Sequence, residues 1–451
     1  MKSQTPIAIT IAGSDSGGGA GIQADLKTFA ALGVHGTVAI TSVTAQNTHS
    51  VKAVQDLRPE IVIEQIRTVA EDFGIDAGKT GMLHTKEIIE AVASEVSKYS
   101  FPLVVDPVMV SKSGAPLLEA EAIDVLKKRL LPLAKVVTPN RFEAERLSGI
   151  EIKSLMDVET AAMEISKMGP EAVVIKGGHF EGEEVTDFLY YEGRFWKFTA
   201  PRLDVKTTHG TGCSFSAAIA AGLAKKMDVP EAVEKAKNFV TLSIKFGLKI
   251  GKGYGPVNPM VYLYRETSKY EVLSSLEEAK NLLEKHPEVA ALVPEVGMNI
   301  AMAVRYAEKV NDIAAIDGRI VKTSSGVRAG NPRFGCSHHL ANYLIEVVKH
   351  EEDKRAAVNL KFSEETLKAL EDIGLTVSFY DRTKEPEEIK MVEGMTIPWG
   401  VKEAIKKVGN VPDVIYHRGD IGKEPMIVIF GKDALSLAKL VVKIAEEIKN
   451  R

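Results

Sequence analysis

The sequence predicts an α/β protein: a mostly parallel sheet with helices on both faces, followed by a second, smaller α/β domain. Two patterns carry this prediction. Short continuous apolar runs alternate with helical patterns up to about residue 180, which is typical of parallel strands buried on both faces. A second set of strand and helix patterns follows a turn-rich stretch. The 451 residues, 45% of them hydrophobic, are sufficient for two or three domain cores.

The first half of the chain begins with a strand, a glycine-rich loop and a helix. Residues 6–12 are a short β-rich run, residues 13–19 are mostly glycine and serine, and residues 21–32 place apolar side chains on one helical face. The same alternation then continues. It predicts strands or strand ends at residues 38–43, 79–82, 104–107, 136–140 and 173–179, and helices at residues 60–73 and 142–147.

A hairpin and two helices close this first domain. Residues 185–202 alternate about the dipeptide Glu192-Gly193, which favours a hairpin turn. Helices are expected at residues 214–225 and 230–246. Residues 247–264 lack periodicity and are rich in glycine and proline, so the domain boundary is expected between 255 and 270.

The predicted domains are therefore residues 1–262 and 263–451. In the second, helical patterns occupy residues 270–285, 299–310, 363–373 and 434–449. The strands are expected at residues 356–362, 376–381 and 426–431. These elements predict another α/β unit.

Charge and cysteine content restrict the function classes. The net charge is -4, and acidic and basic residues are interspersed, so neither a nucleic acid nor a membrane is expected as a partner. The two cysteines, Cys213 and Cys336, lie far apart, and neither a signal peptide nor a long apolar run is visible. We expect a cytoplasmic protein with reduced thiols that binds small molecules and copies of itself.

The motif His-Gly-Thr-Gly-Cys at residues 209–213 stands directly before a long run of small, helix-compatible residues. The N–H groups at the start of a helix lack internal partners and attract anions. This motif predicts an anion site made by the unpaired amides of Gly210, Thr211, Gly212 and Cys213. At that position the pKa of a thiol is expected to be lowered, so that Cys213 can act as a base. The alternative is a small side chain packed at the turn.

Polar side chains follow several of the predicted strands. Ligands of parallel sheets bind beyond the carboxyl ends of the strands, so these side chains are expected to share one site. With the apolar Met82 beside them, they are Asp15, Gln46, Asp106, Asn140, Glu143 and Lys176. Structural alternatives remain for three of them. Glu143 could be a first-turn carboxylate that interacts favourably with the helix dipole. Asp106 could stabilise the turn before Pro107, and Lys176 could be an ordinary surface lysine with its ammonium in solvent.

Residues 6–262 resemble the hydroxymethylpyrimidine and phosphomethylpyrimidine kinases of thiamine biosynthesis, within the ribokinase-like superfamily. The resemblance rests on seven motifs in the family's order: IAGSDSGGGAGIQADLKTF, VTAQNT, TGML, VVDPVMVSKSGAPLL, VVTPNRFEAERLSG, VIKGGHF and THGTGCSFSAAIAAGLA. It implies a ribokinase-like fold and a dimer formed through the kinase sheet. It also implies that ATP phosphorylates first the hydroxymethyl group of 4-amino-5-hydroxymethyl-2-methylpyrimidine and then the resulting monophosphate.

The resemblance also implies roles for individual residues. Gln46, Asp25 and Met82 would form the pyrimidine pocket together with Gly13, although by composition alone Asp25 is a solvated helical carboxylate and Met82 a core residue. The magnesium and phosphate residues would be Asp106, Asn140, Glu143 and Lys176, with Glu143 acting on Mg²⁺ through water. Cys213 departs from the aspartate that sugar kinases of the superfamily carry here.

The second domain resembles the archaeal type of thiamine-phosphate synthase that is fused to this kinase. The resemblance rests on VPEVGMNIAMAV, on DGRIVKTSSGVRAGNPRFGCSHHLANYL and on the final strand and helix. It implies that the pyrimidine diphosphate is joined to a thiazole phosphate with loss of pyrophosphate, which requires anion-binding groups. The candidates are Arg319, Arg328, Arg333, His338 and His339. Ser337 is expected to cap a helix over residues 338–350, whose start would favour an anion.

Several alternatives stay open. A zinc site at Cys336, His338 and His339 is disfavoured because adjacent helical side chains diverge by about 100°. Glu295 or Asp317 could instead hold Mg²⁺. The second domain could also be a module that senses thiamine phosphate without turnover. A pyridoxal or sugar kinase is disfavoured by Gln46 and Cys213.

Overall fold

The structure is a computed structural model that describes residues 5–110, 114, 116–179, 182–392, 394–420 and 422–450. The chain divides into two compact units, Met1–Tyr262 and Leu263–Arg451. Each unit has its own sheet and its own hydrophobic core. None of the helices in the described ranges has the length and apolar character needed to span a membrane.

The first unit is built on a nine-stranded sheet of order β3-β2-β1-β4-β5-β6-β7-β8-β9. The strands are β1 Ile7–Asp15, β2 His35–Gln46, β3 Val51–Asp56, β4 Ala77–Thr80, β5 Leu103–Val105, β6 Val136–Val137, β7 Ala172–Ile175, β8 Glu184–Tyr191 and β9 Arg194–Pro201. The six central strands, in the sheet order β2-β1-β4-β5-β6-β7, are parallel to their neighbours. The strands at the two edges, β3 on one side and β8 and β9 on the other, pair antiparallel. The predicted mostly parallel sheet is confirmed, as is the β8–β9 hairpin. The edge strand β3 was not predicted, since its side chains are largely exposed.

Helices cover both faces of this sheet. They are α1 Gly21–Ala31, α2 Pro59–Asp72, α3 Lys86–Val96, α4 Ala122–Val125, α5 Arg141–Ser148, α6 Leu155–Ser166, α7 Thr211–Ala224 and α8 Val229–Lys245. Successive residues of β5 point to opposite faces. Val104 packs in the core that holds Phe215 of α7, and Val105 packs in the core that holds Ile88 of α3. The central parallel strands β5, β6 and β7 are buried on both sides, which explains their continuous apolar runs.

The second unit holds a seven-stranded sheet of order β14-β11-β10-β15-β18-β17-β16 and a separate β12–β13 hairpin. The strands are β10 Ile300–Ala303, β11 Ile313–Ile316, β12 Ile320–Thr323, β13 Gly326–Ala329, β14 Pro332–Phe334, β15 Ala356–Lys361, β16 Val377–Phe379, β17 Val414–His417 and β18 Met426–Gly431. The helices are α9 Val261–Lys285, α10 His338–His350, α11 Glu364–Asp372, α12 Glu387–Lys390, α13 Thr396–Val408 and α14 Ala434–Asn450. Only the β16–β17 pair of the seven-stranded sheet is parallel among the described strands.

The predicted helix over residues 299–310 is wrong. Residues 300–303 form the buried strand β10, which pairs with β11 and with β15. Four consecutive apolar residues fit a buried strand as well as a helix, and pairing across the sheet decides between them. Helix α10 has the predicted bounds. Ser337 occupies its N-cap position, but the serine side chain makes no capping hydrogen bond.

Candidate functional site

A cavity of about 880 Å³ lies at the carboxyl ends of the parallel strands in the first unit. Strand ends, the glycine-rich loop after β1 and the start of α7 all contribute to its wall, as expected for a parallel sheet. Its lining includes Gly13, Gln46, Met82, Asp106, Asn140, Glu143, Lys176, Gly210, Thr211, Gly212 and Cys213. The set spans 200 sequence positions, from Gly13 to Cys213, and the fold brings its members to one cavity.

Asp25 is the exception among the residues expected in this pocket. Its side chain is completely buried on α1 and does not line the cavity. One carboxylate oxygen accepts hydrogen bonds from the Thr10 hydroxyl at 2.6 Å and from the Lys79 ammonium at 2.7 Å. The expected contact between Asp25 and a ring amine is therefore replaced by a buried ion pair beneath the cavity.

Lys79 is the member of that pair that reaches the cavity. Burial opposes its charge, but the negative charges of Asp25 and Asp106 raise the pKa of Lys79 overall. Its ammonium is therefore a permanent positive charge under the cavity floor. Sequence reasoning missed this residue, although a lysine at the end of a short buried strand was a usable signal.

The turn before α7 depends on close backbone packing. Gly210 is the N-cap residue with φ of 81°, and a β-carbon there would lie 1.8 Å from the carbonyl oxygen of Gly19. Only glycine fits this position. The turn therefore rests directly on the glycine-rich loop that follows β1.

The start of α7 offers free backbone donors to the cavity. Within the described part of the chain, the N–H groups of Gly212 and Cys213 find no acceptor. The expectation is wrong for Thr211, because its N–H donates to the carbonyl of Thr208 at 3.4 Å. A β-carbon on Gly212 would lie 3.4 Å from the Lys176 ammonium, so backbone donors and a cation face the same space.

Two carboxyl groups and one ammonium lie beside this turn. Lys176 donates to Asp106 at 3.0 Å, and Asp106 also accepts from the hydroxyls of Thr138 and Ser216. Burial raises the pKa of Glu143 to about 7; Lys176 opposes this rise, and the charge of Asp106 adds to it. A cation bound beside Glu143 would favour the ionised form of its carboxyl group.

The Asn140–Glu143 motif forms a capping box at the start of α5. The Asn140 side chain accepts from the Glu143 N–H at 3.0 Å, and the Glu143 carboxylate accepts from the Asn140 N–H at 2.8 Å. The structural interpretation of Glu143 as a first-turn carboxylate is thus met. Both side chains also line the cavity, so the cap and the cavity wall are made by the same residues.

The expected lowering of the Cys213 pKa is wrong. Burial raises the pKa of the thiol to about 11, although the Lys79 ammonium and the Gly21 N–H act in the opposite direction. Desolvation of a thiolate outweighs the two stabilising groups. The neutral thiol is therefore the resting form at neutral pH.

A second pair lies near Gln46: Asp15 was expected at this site, but its pairing with His209 was not predicted. His209 approaches Asp15 with 2.9 Å between the histidine Nε2 and a carboxylate oxygen, and both residues line the cavity. The Asp15 carboxylate also accepts from the N–H groups of Gly17 and Ala20, each at 2.8 Å. Burial opposes ionisation of Asp15, but His209 and these amides lower its pKa overall.

The second unit has a cavity of about 800 Å³ of its own. Arg319, His338 and His339 line it, together with Arg382 and His417, which sequence reasoning missed. Arg328 and Arg333 do not line it. Their side chains are 70% and 65% exposed and face Glu284 and Asp317, because β13 and β14 turn them toward solvent. The five predicted donors therefore do not form one group.

Arg319 and Arg382 bring positive charge to this second cavity, which Lys423 and Glu424 also line. Burial lowers the pKa of His339 to about 4, and Arg319 and Arg382 add to the effect. Burial likewise lowers the pKa of His417 to about 3, assisted by Arg382. Both imidazoles are neutral near pH 7, so they can donate hydrogen bonds without adding charge. The buried hydroxyls of Tyr343 and Tyr380 lie 2.8 Å apart and pack beside these rings.

The first unit's fold and its strand-end cavity define a kinase domain of the ribokinase-like class. The model of the family described as phosphomethylpyrimidine kinase matches residues 15–258, and the thiamine-phosphate synthase ThiN model matches residues 275–443. The chain belongs to the phosphomethylpyrimidine kinase family and carries a ThiN domain after the kinase domain.

Individual relatives agree with this assignment. The hydroxymethylpyrimidine/phosphomethylpyrimidine kinase of Bacillus subtilis is 49% identical over 257 residues, which are 56% of this chain and 95% of the relative. The bifunctional thiamine biosynthesis protein ThiDN of Methanocaldococcus jannaschii is 34% identical over 446 residues, covering 98% of this chain and 99% of the relative. Among solved structures, the Staphylococcus aureus pyridoxal kinase in complex with AMP-PCP and pyridoxal is 38% identical with a TM-score of 0.54. That match covers 58% of this chain and 95% of the kinase.

Proposed function

We propose that residues 1–262 transfer phosphate from ATP to 4-amino-5-hydroxymethyl-2-methylpyrimidine and then to its monophosphate. Residues 263–451 then join the diphosphate to a thiazole phosphate, giving thiamine phosphate and pyrophosphate. One observation supports the first activity above all. The ring-recognition candidates Gln46 and Met82 and the phosphate candidates Lys176 and Gly212 line a single cavity.

The start of α7 is proposed to stabilise the phosphoryl group during transfer. The free amides of Gly212 and Cys213 and the ammonium of Lys176 face the same space. Phosphoryl transfer depends mainly on positioning and on charge stabilisation, and a helix start supplies fixed donors for both. Thr211 and Gly210 would act by setting the shape of the turn rather than by separate chemistry.

The residues beside this turn fit Mg²⁺ bound through water. Asn140 and Glu143 are held in place by backbone hydrogen bonds, and both residues line the cavity. Asp106 and Glu143 bring two carboxyl groups close to the Lys176 ammonium. Mg²⁺ would neutralise phosphate charge there while keeping several of its waters.

The pyrimidine ring is proposed to lie between Gln46 and Met82. The Gln46 amide offers one donor and one acceptor, which matches the amino group and the adjacent ring nitrogen of the substrate. Met82 supplies an apolar surface, and Gly13 lets the ring approach, since a β-carbon there would lie 3.2 Å from the Met82 sulfur. Asp25 would contribute through Lys79 and not by direct contact.

Cys213 is proposed as the proton acceptor for the first of the two phosphorylations. An alcohol must lose a proton as it attacks phosphorus, whereas a phosphate monoester is already largely ionised near neutral pH. The thiol lies at the start of α7 and near the Lys79 ammonium, which would stabilise the thiolate once it forms. The second phosphorylation has no such requirement.

In the second domain, Arg319 and Arg382 are proposed to bind the diphosphate. They supply the charge, while the neutral imidazoles of His339 and His417 and the side chain of His338 supply further donors. Arginine is suited to this task because its guanidinium can bind two phosphate oxygens at once. Departure of pyrophosphate needs this charge neutralisation more than it needs a nucleophile.

Product-resolved assays of the full chain test both activities. With the aminopyrimidine alcohol, ATP, Mg²⁺ and thiazole phosphate, thiamine phosphate and ADP are expected. With pyrimidine diphosphate and thiazole phosphate but no ATP, thiamine phosphate alone tests the second domain. Tight binding of thiamine phosphate without its formation would instead favour a sensing module. Faster phosphorylation of pyridoxal than of the aminopyrimidine would contradict the kinase assignment.

A further inference from the structure

A chain of hydrogen bonds surrounds the side-chain amide of Gln46. On one side the amide lies 3.3 Å from the hydroxyl of Thr44, and on the other it lies 3.4 Å from Nε2 of His209. His209 Nε2 also lies 2.9 Å from the Asp15 carboxylate. All four side chains line the kinase cavity.

The protons of this chain can be assigned by counting donors. The Thr44 hydroxyl has one proton and donates it to the carbonyl of Ser14 at 2.8 Å, so its oxygen can only accept from Gln46. The ionised Asp15 carboxylate can only accept, so His209 must carry a proton on Nε2. That nitrogen therefore cannot accept a hydrogen bond from the Gln46 amide.

Only one orientation of the amide avoids a conflict with both neighbours. With the –NH₂ group facing Thr44, the amide donates to the hydroxyl oxygen, and the carbonyl oxygen faces the Nε2 proton of His209, which it shares with Asp15. The reverse orientation would set an amide N–H against that Nε2 proton, and amide oxygen and nitrogen are assigned from such networks. We infer that His209 and Thr44 are positioning residues that hold the Gln46 amide in this single orientation and thereby select a ring presenting an amino donor next to an acceptor nitrogen. The inference rests on the proposed kinase function and extends it to substrate selection.

The imidazole is fixed firmly enough for this role. The His209 N–H donates to the carbonyl of Gly255 at 3.1 Å, and the His209 carbonyl accepts from Val257 at 3.0 Å. The ring lies so close to the glycine-rich loop that a β-carbon on Gly19 would be 2.4 Å from it. The imidazole therefore has little room to turn away from Asp15.

The selection can be tested with a pair of substrates. A 4-oxo analogue of the pyrimidine alcohol presents a donor ring nitrogen next to an acceptor oxygen, which is the reverse of the 4-amino compound. A freely rotating Gln46 amide can serve both patterns, whereas a fixed amide serves only one. The ratio of kcat/KM for the amino and oxo compounds therefore reports the orientation of the amide.

The variants are His209→Phe and Thr44→Val, with His209→Gln and Thr44→Ser as conservative controls. Phe and Val remove the hydrogen-bonding groups while roughly keeping the volume. We expect each to raise KM for the amino compound about tenfold and to lower the amino-to-oxo ratio about tenfold, with KM for ATP unchanged. The conservative variants keep a polar partner and should restore most of the ratio. Equal losses for both compounds, with an unchanged ratio, would overturn the inference.

A measurement without turnover separates this inference from the kinase assignment. In the full-length protein, nuclear Overhauser contacts of the Gln46 –NH₂ protons should reach the Thr44 methyl group and not the His209 ring. The opposite pattern would refute the assigned orientation even in an active enzyme. Absence of phosphorylation by the wild-type protein would remove the proposed function, while these contacts would still decide how the amide is held.

Discussion

Replacing Cys213 by alanine should separate the two phosphorylations of the proposed kinase. In the first, the thiol has to accept the proton of an alcohol; in the second, the attacking phosphate oxygen carries no proton to remove. The variant should therefore lose the first reaction selectively. A side chain that only fills space would affect both reactions alike.

The pKa of Cys213 sets the size of the effect. With a value of about 11, only about one thiol in 10⁴ is ionised at pH 7, and this fraction rises tenfold with each pH unit. A positioned general base contributes about 10²- to 10⁴-fold to a rate. We therefore expect Cys213→Ala to lower kcat for the alcohol by roughly 10²-fold or more. The wild-type rate with the alcohol should climb with pH between 7 and 9, and the variant's rate should not.

Initial rates with each substrate at saturating ATP and Mg²⁺ measure this effect. Cys213→Ser is the matched control, since serine keeps a side chain of similar size at the turn but is a far weaker acid than a thiol. It should resemble alanine with the alcohol if the proton matters, and wild type if only packing matters. Equal losses of kcat for the alcohol and the monophosphate, or a first step independent of pH, would refute the reasoning.

Three further predictions concern other parts of the chain. Glu143→Gln should keep the capping box and the melting temperature, since Gln also serves at this position of the box. It should weaken the apparent affinity for Mg²⁺ about tenfold, because the carboxylate charge is lost. In the wild type the same affinity should fall as pH drops through about 7, because Glu143 then takes up a proton; a Mg²⁺ titration unchanged by the mutation or by pH would argue against this role. Arg382→Ala should reduce formation of thiamine phosphate from added diphosphate by about 10²-fold, whereas Arg328→Ala, outside the cavity, should stay within about twofold; similar losses in both would contradict the assignment. Lys79→Met should lower the free energy of unfolding by about 3–5 kcal/mol by leaving Asp25 buried and unpaired, and Asp25→Leu added to it should restore much of the loss; urea unfolding of the single and double variants measures this, and a double variant as unstable as the single one would contradict it.

The sequence was sufficient for the kinase sheet because its strands are short, apolar and regularly separated by helices. It was insufficient where distant pairing decides the structure. The segment Ile300–Ala303 fits a helix locally, yet β15, more than fifty residues later, makes it a strand. Asp25 looks like a solvated helical carboxylate until Lys79 is brought against it from the neighbouring strand.

The site residues could likewise be predicted where local sequence position decides, and not where packing between distant segments decides. Strand-end polar residues identified most of the kinase cavity, because the carboxyl ends of parallel strands share one edge. The pKa of Cys213 could not be predicted, since it depends on how much water the surrounding packing removes. Arg382 and His417 also stand close to strand ends, after β16 and at the end of β17, and attention to that position would have found them in the second domain.

Because Gly210 has no β-carbon, the turn before α7 packs directly against the loop after β1, and the two segments must move together. The carbonyl of Gly19 fills the space that a side chain would need, so the loop after β1 and the turn before α7 cannot slide past each other. A shift of the loop after β1 must therefore displace the start of α7, whose amides are proposed to hold the phosphoryl group. The two segments are coupled through main-chain atoms. Any side chain introduced at Gly210 would push the two segments apart.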